Sequence, residues 1–434
     1  MKKLKQLILI TVLTGCSQFV FAQLDNLSNF SAEWMRMSAR NAATDATDIV
    51  VYNPAGLTSM ENGMHINIGN QSLFRSPTHQ YDFGMGQGVQ KFKQDGGDAF
   101  LPNLYAAYKN NQWSVFGGMF ISGGGATMNY PHGSITTDMI AMQSLMAAQG
   151  AYLEAKDQHL KASSYYMTTA IGMAYKAGKH FSFAISGRYQ DAKNKTEAGM
   201  TLTSSPFGLD DVPLNLQTTD HASGWGAVMS MNAKANDMLN FSVRYETMVK
   251  LDFKTKQTKD DYGVTTEGEM NRRDLPAVLA IGTGIKMTSK LTALIDYNYY
   301  FQKQANWGKT MIGAEEKSWS SLAGNASTVG LGFQYKCSGK FLMSCGGAYS
   351  DFAYADKAAY YTRMGSFEVA QDNNFNLNCG FGYKPCKYVT VNGGYMHTFY
   401  KDETIKAMSV QPLDVDVKVN NSLNAFAVGV DLNF

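Results

Sequence analysis

The chain has 434 residues, 44% hydrophobic and 17% charged, with a net charge of +2. That near-neutral balance, without a basic cluster, argues against nucleic acid as a partner, and no apolar run after the N-terminus approaches the ~18 residues of a membrane helix. Gly (41), Tyr and Phe (24 each) are plentiful and Pro (9) is scarce, which suits a chain of many strands with aromatic girdles, and a barrel can run this long as one unit.

The first residues are a targeting segment. Lys2 and Lys3 form a charged start, residues 7–13 an apolar run, and Val20-Phe21-Ala22 a cleavage site before Gln23, so 1–22 is expected to be a signal peptide. Leu13-Thr14-Gly15-Cys16 competes as a lipobox that would leave a lipidated Cys16; cleavage after Ala22 is the preferred reading, and either takes the chain out of the cytoplasm.

Residues 23–60 do not alternate as a strand. Ala32, Trp34, Met35, Met37, Ala39, Ala42 and Ala43 make a short helical mix that Ser31 can cap. Asp45 and Asp48 follow, and Ile49-Val50-Val51-Tyr52 leads into Asn53-Pro54-Ala55-Gly56. Pro54 fixes φ and pushes Asn53 out of the helical region, while Gly56 permits positive φ. Alone, this reads as a tight turn after a short strand.

Residues 36–57, an Ala- and Asp-rich stretch ending in Asn53-Pro54-Ala55-Gly56-Leu57, resemble the hatch of the FadL-type outer-membrane transporters of long-chain fatty acids and aromatic hydrocarbons. The resemblance implies a plug over 23–60 inside a β-barrel over 61–434, with Asn53, Pro54, Ala55 and Gly56 in the moving part.

The wall follows from period-2 alternation. Between 239 and 254, Leu239, Phe241, Val243, Tyr245, Thr247, Val249, Leu251 and Phe253 fall on one face and Arg244, Glu246, Lys250 and Asp252 on the other, and 291–302 repeats the pattern. Such segments lie at 64–74, 99–109, 112–122, 163–176, 180–192, 222–235, 239–255, 272–287, 290–304, 326–336, 340–352, 371–384, 387–401 and 417–434, about fourteen, the even number that closes a barrel. Tight turns at Asn110-Asn111, Ala177-Gly178, Asn236-Asp237, Thr288-Ser289, Ser338-Gly339 and Pro385-Cys386 alternate with long polar stretches at 75–98, 123–162, 193–221, 256–271, 303–325, 353–370 and 402–416. Short inner turns and long outer loops are the outer-membrane arrangement, so the fold class is an all-β, antiparallel transmembrane barrel. The last strand places Phe426, Val428, Val430, Leu432 and Phe434 on one face and resembles the signal read by the barrel assembly machinery. Gly224-Trp225-Gly226 with the hairpin after it, and Leu275-Pro276-Ala277 with Asp296 beyond, also resemble the family.

No Gly-x-Ser-x-Gly or His-Glu-x-x-His motif marks an enzyme; the one enzymatic alternative is a phospholipase with Ser and His inside the barrel. The seven His are scattered and no cysteine has metal spacing, so neither metal nor cofactor is expected. Without Cys16 four cysteines remain; Cys345 and Cys379 sit on successive strands at similar distances from their turns and are candidates for a disulfide, with free thiols the alternative, while Cys337 and Cys386 lie near turns.

Residues 134–160 read as helix, with Ser134 as cap, Ile135, Met139, Met142, Met146 and Leu153 at helical spacing, and Gln149-Gly150 as a break into two helices. Met suits promiscuous apolar binding, although the same face can simply pack over the barrel rim. In the family helical outer loops capture substrate, which makes Met139, Met142, Leu145 and Met146 candidates for a capture site. Arg188, Arg244 and Lys250 are candidate lumen charges for a carboxylate; pairing with Glu246, Asp252 and Asp296, or with Asp45 and Asp48 of the plug, is the structural alternative. The family releases substrate sideways where an early strand kinks inward, and Gly117-Gly118 within 112–122 is the local candidate for that opening, with Gly123-Gly124-Gly125 loosening the outer end.

The expected function is passive entry of hydrophobic small molecules into a bacterial outer membrane by a monomer, amid outer-membrane lipid and lipopolysaccharide. A polar-solute porin, or a surface adhesin or receptor working through its loops, is the alternative.

Overall fold

Alternation in the sequence becomes alternation of exposure: Phe241, Val243 and Tyr245 lie on the outside while Ser242, Arg244 and Glu246 between them are buried. The protein is known from a computed structural model that describes residues 31–84, 88–204, 208–312, 314–364, 367–369, 371–410 and 413–434. The expected signal peptide, Cys16 and the first residues of the expected plug lie outside the described residues.

The first strands are β1 (Gly63–Arg75), β2 (Thr78–Tyr81), β3 (Gln90–Lys93), β4 (Asp98–Asn110), β5 (Trp113–Tyr130), β6 (Glu154–Ala177), β7 (Phe181–Thr203) and β8 (Val212–Lys234). Next come β9 (Leu239–Glu246), β10 (Asp252–Asp260), β11 (Met270–Arg272), β12 (Val278–Lys286), β13 (Leu291–Tyr300), β14 (Lys309–Ile312) and β15 (Glu315–Ser318). The last are β16 (Ala326–Lys336), β17 (Phe341–Asp351), β18 (Asn374–Cys386), β19 (Val389–Tyr400), β20 (Glu403–Val410), β21 (Leu413–Asn420) and β22 (Ser422–Asn433). Among them β1, β4–β9, β12, β13, β16–β19 and β22 form a closed antiparallel barrel of 14 strands, sealed where β22 pairs with β1. Each corresponds to one of the segments read from the sequence.

Several boundaries differ. The expected outer loop 193–221 is mostly strand: β6 has 24 residues and β7 and β8 have 23 each. At ~3.4 Å per residue these far exceed the ~30 Å hydrocarbon layer, so their outer ends stand above the membrane. There Ala192, Ala198 and Leu202 are buried while Lys193, Lys195 and Glu197 sit between them, an alternation with no lipid-facing apolar side. The expected helix over 134–160 is confined to Ile135–Ala147. Gln149 and Gly150 take positive φ (52° and 83°) and end it, and the chain then continues as β6 and not as a second helix. The turn expected at Pro385-Cys386 lies two residues later, at Lys387-Tyr388; Pro385, which has no N–H, instead falls where the β18–β19 register slips between Tyr383 and Cys386.

The strand read at 239–255 also changes face partway. Glu246 pairs with Val228 of β8, but Lys254 pairs with His221, one residue out of step. Across this slip Val249, Leu251 and Phe253 turn inward against Tyr166, Ala192, Ala222 and Leu275. Lys250 is therefore exposed, on the face opposite Arg244, and is not a lumen charge.

The helices are α1 (Ala32–Met35), α2 (Ile49–Tyr52), α3 (Ile135–Ala147), α4 (Trp319–Ala323) and α5 (Lys357–Met364). Ile49–Tyr52 is thus a helical turn, not the short strand considered for it, and Pro54 opens a 3-10 helix that runs to Ser59. Residues 31–60 lie inside the barrel, against a berth of glycines. A Cβ at Gly332 or Gly346 would overlap the Met37 carbonyl, one at Gly330 the Ser38 carbonyl, and one at Gly394 would stand 2.8 Å from the Arg36 nitrogen. Outside the membrane β20, β21, β2 and β3 form a separate sheet. With α3, α4 and α5 it buries a cluster that includes Tyr81, Trp307, Trp319, Tyr361, Phe367 and Val417.

Candidate functional site

Three features meet along the axis of the barrel: the inner segment 31–60, a cavity above it, and a cap outside the membrane. The inner segment is fixed by buried polar contacts. Arg40, with no exposure, bridges Asp45 (2.7 Å) and Asp48 (2.6 Å), and Asp48 also accepts the Ser31 hydroxyl (2.8 Å). Asp296 of β13 accepts the N–H groups of Arg40 (2.6 Å) and Asn41 (2.9 Å). Glu33 accepts from Asn67 (2.9 Å) and Asn392 (2.7 Å), and both amides also donate to Asp431. Asp45 and Asp48 are thus paired within the segment and not with wall arginines.

Asn53, Pro54, Ala55 and Gly56 are all buried near the short-turn end of the barrel. The Asn53 amide donates to the Ala43 carbonyl (2.9 Å) and to Asn232 of β8 (2.8 Å), and the Ala55 carbonyl accepts the Ser182 hydroxyl of β7 (2.8 Å). A Cβ on Gly56 would stand 2.5 Å from the Asn53 amide nitrogen. The motif therefore ties the segment to two strands.

Above the segment lies a cavity with about 960 Å³ of empty space, part of it open to solvent, reached by Trp34 and Tyr52 of the segment. Arg188 and Arg244 stand in its wall and share one carboxylate, Glu246. Arg244 also donates to the Val51 carbonyl, while the Nε atoms of both arginines are buried without a hydrogen-bond partner. Asp296 also interacts with Arg244 from below, so it is the unused Nε donors of the two guanidinium groups, in a desolvated wall, that favour a further anion.

The wall beside the cavity is interrupted. β4 and β5 pair from Asn110/Trp113 as far as Leu104/Met119 and then separate. They rejoin where Asp98 accepts the Thr127 N–H (2.9 Å) and hydroxyl (2.6 Å). Between these points β5 slips twice against β6, at 121–123 and 124–126, and Gly124 takes φ 67°. Phe120, Ile121 and Ser122 are buried in succession, a break in the alternation of a strand with one lipid-facing side. Phe120 lies under the Arg188 guanidinium (5.6 Å to the ring centre), and Ser122 lines the cavity. Gly117 and Gly118 remain in register with both neighbours, so the irregularity begins just beyond them, at the glycines expected only to loosen the outer end.

In the cap, α3 is docked by its N-terminus. The N–H of Ile135 donates to His79 Nε2 (3.0 Å), that of Thr136 to Glu368 (3.0 Å), and Ser134 and Thr137 form a capping box. His79 has no exposure, and burial outweighs the pull of Glu368 to lower its pKa to about 4. Of the expected capture residues, Met139 and Met142 are half-buried against the aromatic cluster, Leu145 leans on a second cluster with Tyr152 and Leu160, and Met146 is 53% exposed. The helix therefore bridges two clusters and does not present its four candidates as one surface.

The four described cysteines are free and exposed, and Cys345 faces Cys379 in register on the outer surface. Among the described residues no cluster of His, Cys, Asp and Glu has the geometry of a metal site. The sequence reading missed the Arg40 bridge, the Glu33–Asp431 contact and the polar cavity wall. The signal was present in the inward, even-numbered positions of the later strands, Asn298, Thr328, Ser350, Asn374 and Asn376.

The family model described as outer membrane protein transport protein (OMPP1/FadL/TodX) matches residues 16–434. No curated protein matches the sequence. Among solved structures, a Pseudomonas aeruginosa FadL homologue aligns with a TM-score of 0.68 at 12% identity, covering 95% of this chain and all of the other. The P. putida toluene transporter TodX gives 0.63 at 13% identity, with 94% and 99% covered. The Ralstonia pickettii toluene transporter TbuX gives 0.57 at 14%, again with 94% and 99% covered. At these identities the likeness is one of fold.

Proposed function

The chain belongs to the outer membrane protein transport family, OMPP1/FadL/TodX, as a β-barrel of the bacterial outer membrane, and from that premise we propose how it passes hydrophobic small molecules such as long-chain fatty acids. Substrate is captured at the cap beside α3, descends into the cavity over the inner segment, which acts as the plug, and leaves sideways between β4 and β5. A shift of the segment around Asn53-Pro54-Ala55 widens the path.

The observation that carries this reading is that Ser122, inside the interrupted stretch of β5, also lines the cavity. A ligand in the cavity is thereby one side chain away from the gap. Lateral release needs no energy source, since an apolar chain gains ~0.8 kcal/mol per CH₂ on entering hydrocarbon.

The test is retention of radiolabelled oleate and of labelled toluene by cells carrying the intact protein, Ser122→Trp, Pro54→Gly or Met142→Asp/Met146→Asp. Ser122→Trp should cut uptake by at least ~10-fold if the gap is the exit, because a ring there fills the step between cavity and lipid. Uptake by the intact protein no faster than by empty cells, with small sugars entering instead, would replace this reading with a porin.

A further inference from the structure

The cavity wall is unusual for a site meant to hold hydrocarbon. Arg244, Ala280, Asn298, Thr328, Ser350, Asn374 and Tyr400 are successive partners across seven adjacent strands, one from each of β9, β12, β13, β16, β17, β18 and β19. All of them except Ala280 line the cavity. Strand register thus sets a row of hydrogen-bonding side chains around half of the lumen, with an arginine at one end and, beyond Ala280, an unbroken run from Asn298 to Tyr400. One row lower the same strands carry Gly282, Gly330 and Ala348, where the inner segment is seated. The polar row lies just above that seat, and the segment touches it at Arg244, through the Val51 carbonyl, and at Asn298, through Asn41.

The row is only partly used within the protein. Asn298 accepts from Asn41 (3.0 Å), Thr328 and Ser350 share one long contact (3.3 Å), and the Asn374 amide reaches the Asp372 carbonyl (3.1 Å). Each hydroxyl and amide retains donor or acceptor capacity. An alkyl chain laid along this row would strip water from those groups and return nothing, whereas a ligand with its own hydroxyls would replace the water bonds. A carboxylate fits at the same end: Arg188 and Arg244 share Glu246, the Nε atoms of both have no hydrogen-bond partner, and Asp296, which also interacts with Arg244 from one row lower, is already engaged by two N–H groups of the inner segment. Trp34, Phe352, Met396 and Leu423 supply apolar lining elsewhere in the cavity.

We infer that the cavity binds an oxygenated amphipathic carboxylate, its carboxylate on the Arg188–Arg244 pair, its hydroxyl-bearing edge on the row from Asn298 to Tyr400 and its apolar edge on Trp34 and Leu423. This rests on the proposed transport reading and narrows it to a substrate class, with plain hydrocarbon a poor ligand of this cavity.

The experiment is a binding titration of the full chain in lipid nanodiscs with stearate, 9,10-dihydroxystearate, methyl 9,10-dihydroxystearate and toluene. It is run on the intact protein and on a Thr328→Val/Ser350→Ala/Asn374→Leu variant. Dihydroxystearate should bind ~10-fold or more tightly than stearate, the expectation for two added hydrogen bonds, and the methyl ester should lose most of that affinity. In the variant the preference over stearate should vanish, because dihydroxystearate binds more weakly and stearate, no longer stripping water from polar groups, more tightly. Equal affinity of the intact protein for stearate and dihydroxystearate overturns the inference even if the variant does not fold, and so does a preference that survives in a folded variant. Entry of stearate and toluene into proteoliposomes is measured in parallel. Entry without the hydroxyl preference defeats this inference alone, and the preference without entry defeats the transport reading alone.

Discussion

From β12 round to β1 the barrel keeps its register, apart from the slip at Pro385 beside a turn. From β4 to β10 it does not: β4 and β5 part above Leu104, β5 slips twice on β6, and β8 loses step with the strand running from β9 into β10. The regular half carries the glycines that admit the inner segment and the polar row above it. The irregular half carries the gap, Ser122, Arg188 and the long hairpins that rise to the cap. Unbroken ladders satisfy every backbone group and hold a seat rigidly, whereas slips expose backbone and let neighbouring strands separate. The division assigns holding to one half and passage to the other.

The largest effect should come from loosening what is held. In Asp48→Asn, the fully buried Arg40 keeps only Asp45, whose side chain is 43% exposed. Removing one partner of a buried pair costs about 3–5 kcal/mol. Hydrogen exchange should show protection across 31–60 falling by that amount while protection of β16–β19 is retained. Loss of protection in the wall as well would mean that the two fold as one unit and the comparison fails.

Next is the cap. His79 is lowered from 6.5 to about 4, so the unfolded cap binds a proton between these values that the docked cap refuses. Docking is therefore at full strength above pH ~6.5 and weakens as the pH falls toward 4, by up to about 3 kcal/mol. Protonated His79 also cannot accept the Ile135 N–H and places a cation at the positive end of α3. Burial raises the Asp138 carboxyl, which acts in the opposite sense and gains stability as it is protonated. Tyr81 and Tyr130 pack on the imidazole, and Glu368 is the acid facing it. Exchange protection of α3 measured from pH 7 to 4, in the intact protein and in His79→Gln, isolates the imidazole: the variant should lose the fall attributable to it.

Third is the seat. Gly346→Val places side-chain atoms on the Met37 carbonyl, and overpacking of this kind costs about 1–3 kcal/mol. A displaced segment should raise the frequency of open events in planar bilayers by up to ~100-fold. Gly187→Ala on β7, where a Cβ meets nothing, is the control and should leave conductance unchanged.

Much of the regular half was legible in the sequence because its strands obey one rule, apolar outward and small or polar inward, that membrane and lumen impose together. The inward position of Asp296 follows from it, and where the other half still obeys the rule so do those of Arg188 and Arg244, along with the fourteen segments and their chain order. The rule fails where the surroundings change. Above the membrane the outer faces of β6–β8 meet water, so Lys193, Lys195 and Glu197 made a strand look like a loop. Within 135–153, helical spacing of Ile135, Met139 and Met142 was real, but two residues in positive φ cut it short. The polar row was in view as single residues; only register shows that Asn298, Thr328, Ser350 and Asn374 are neighbours.

The smallest predicted effect checks the one slip that moved a candidate residue. Period 2 carried unbroken through 239–255 would put Lys250 beside Arg244 in the lumen. The step between Glu246 and Lys254 turns Lys250 outward and brings Val249 and Leu251 in. Lys250→Gln should therefore leave ligand affinity and stability within ~0.5 kcal/mol, as exposed substitutions do. Arg188→Gln should lower carboxylate affinity, because it removes one of the two cations that share Glu246. If the lysine variant loses carboxylate binding to the same degree, the strand faces the lumen throughout, and the irregular half of the wall ends at β6.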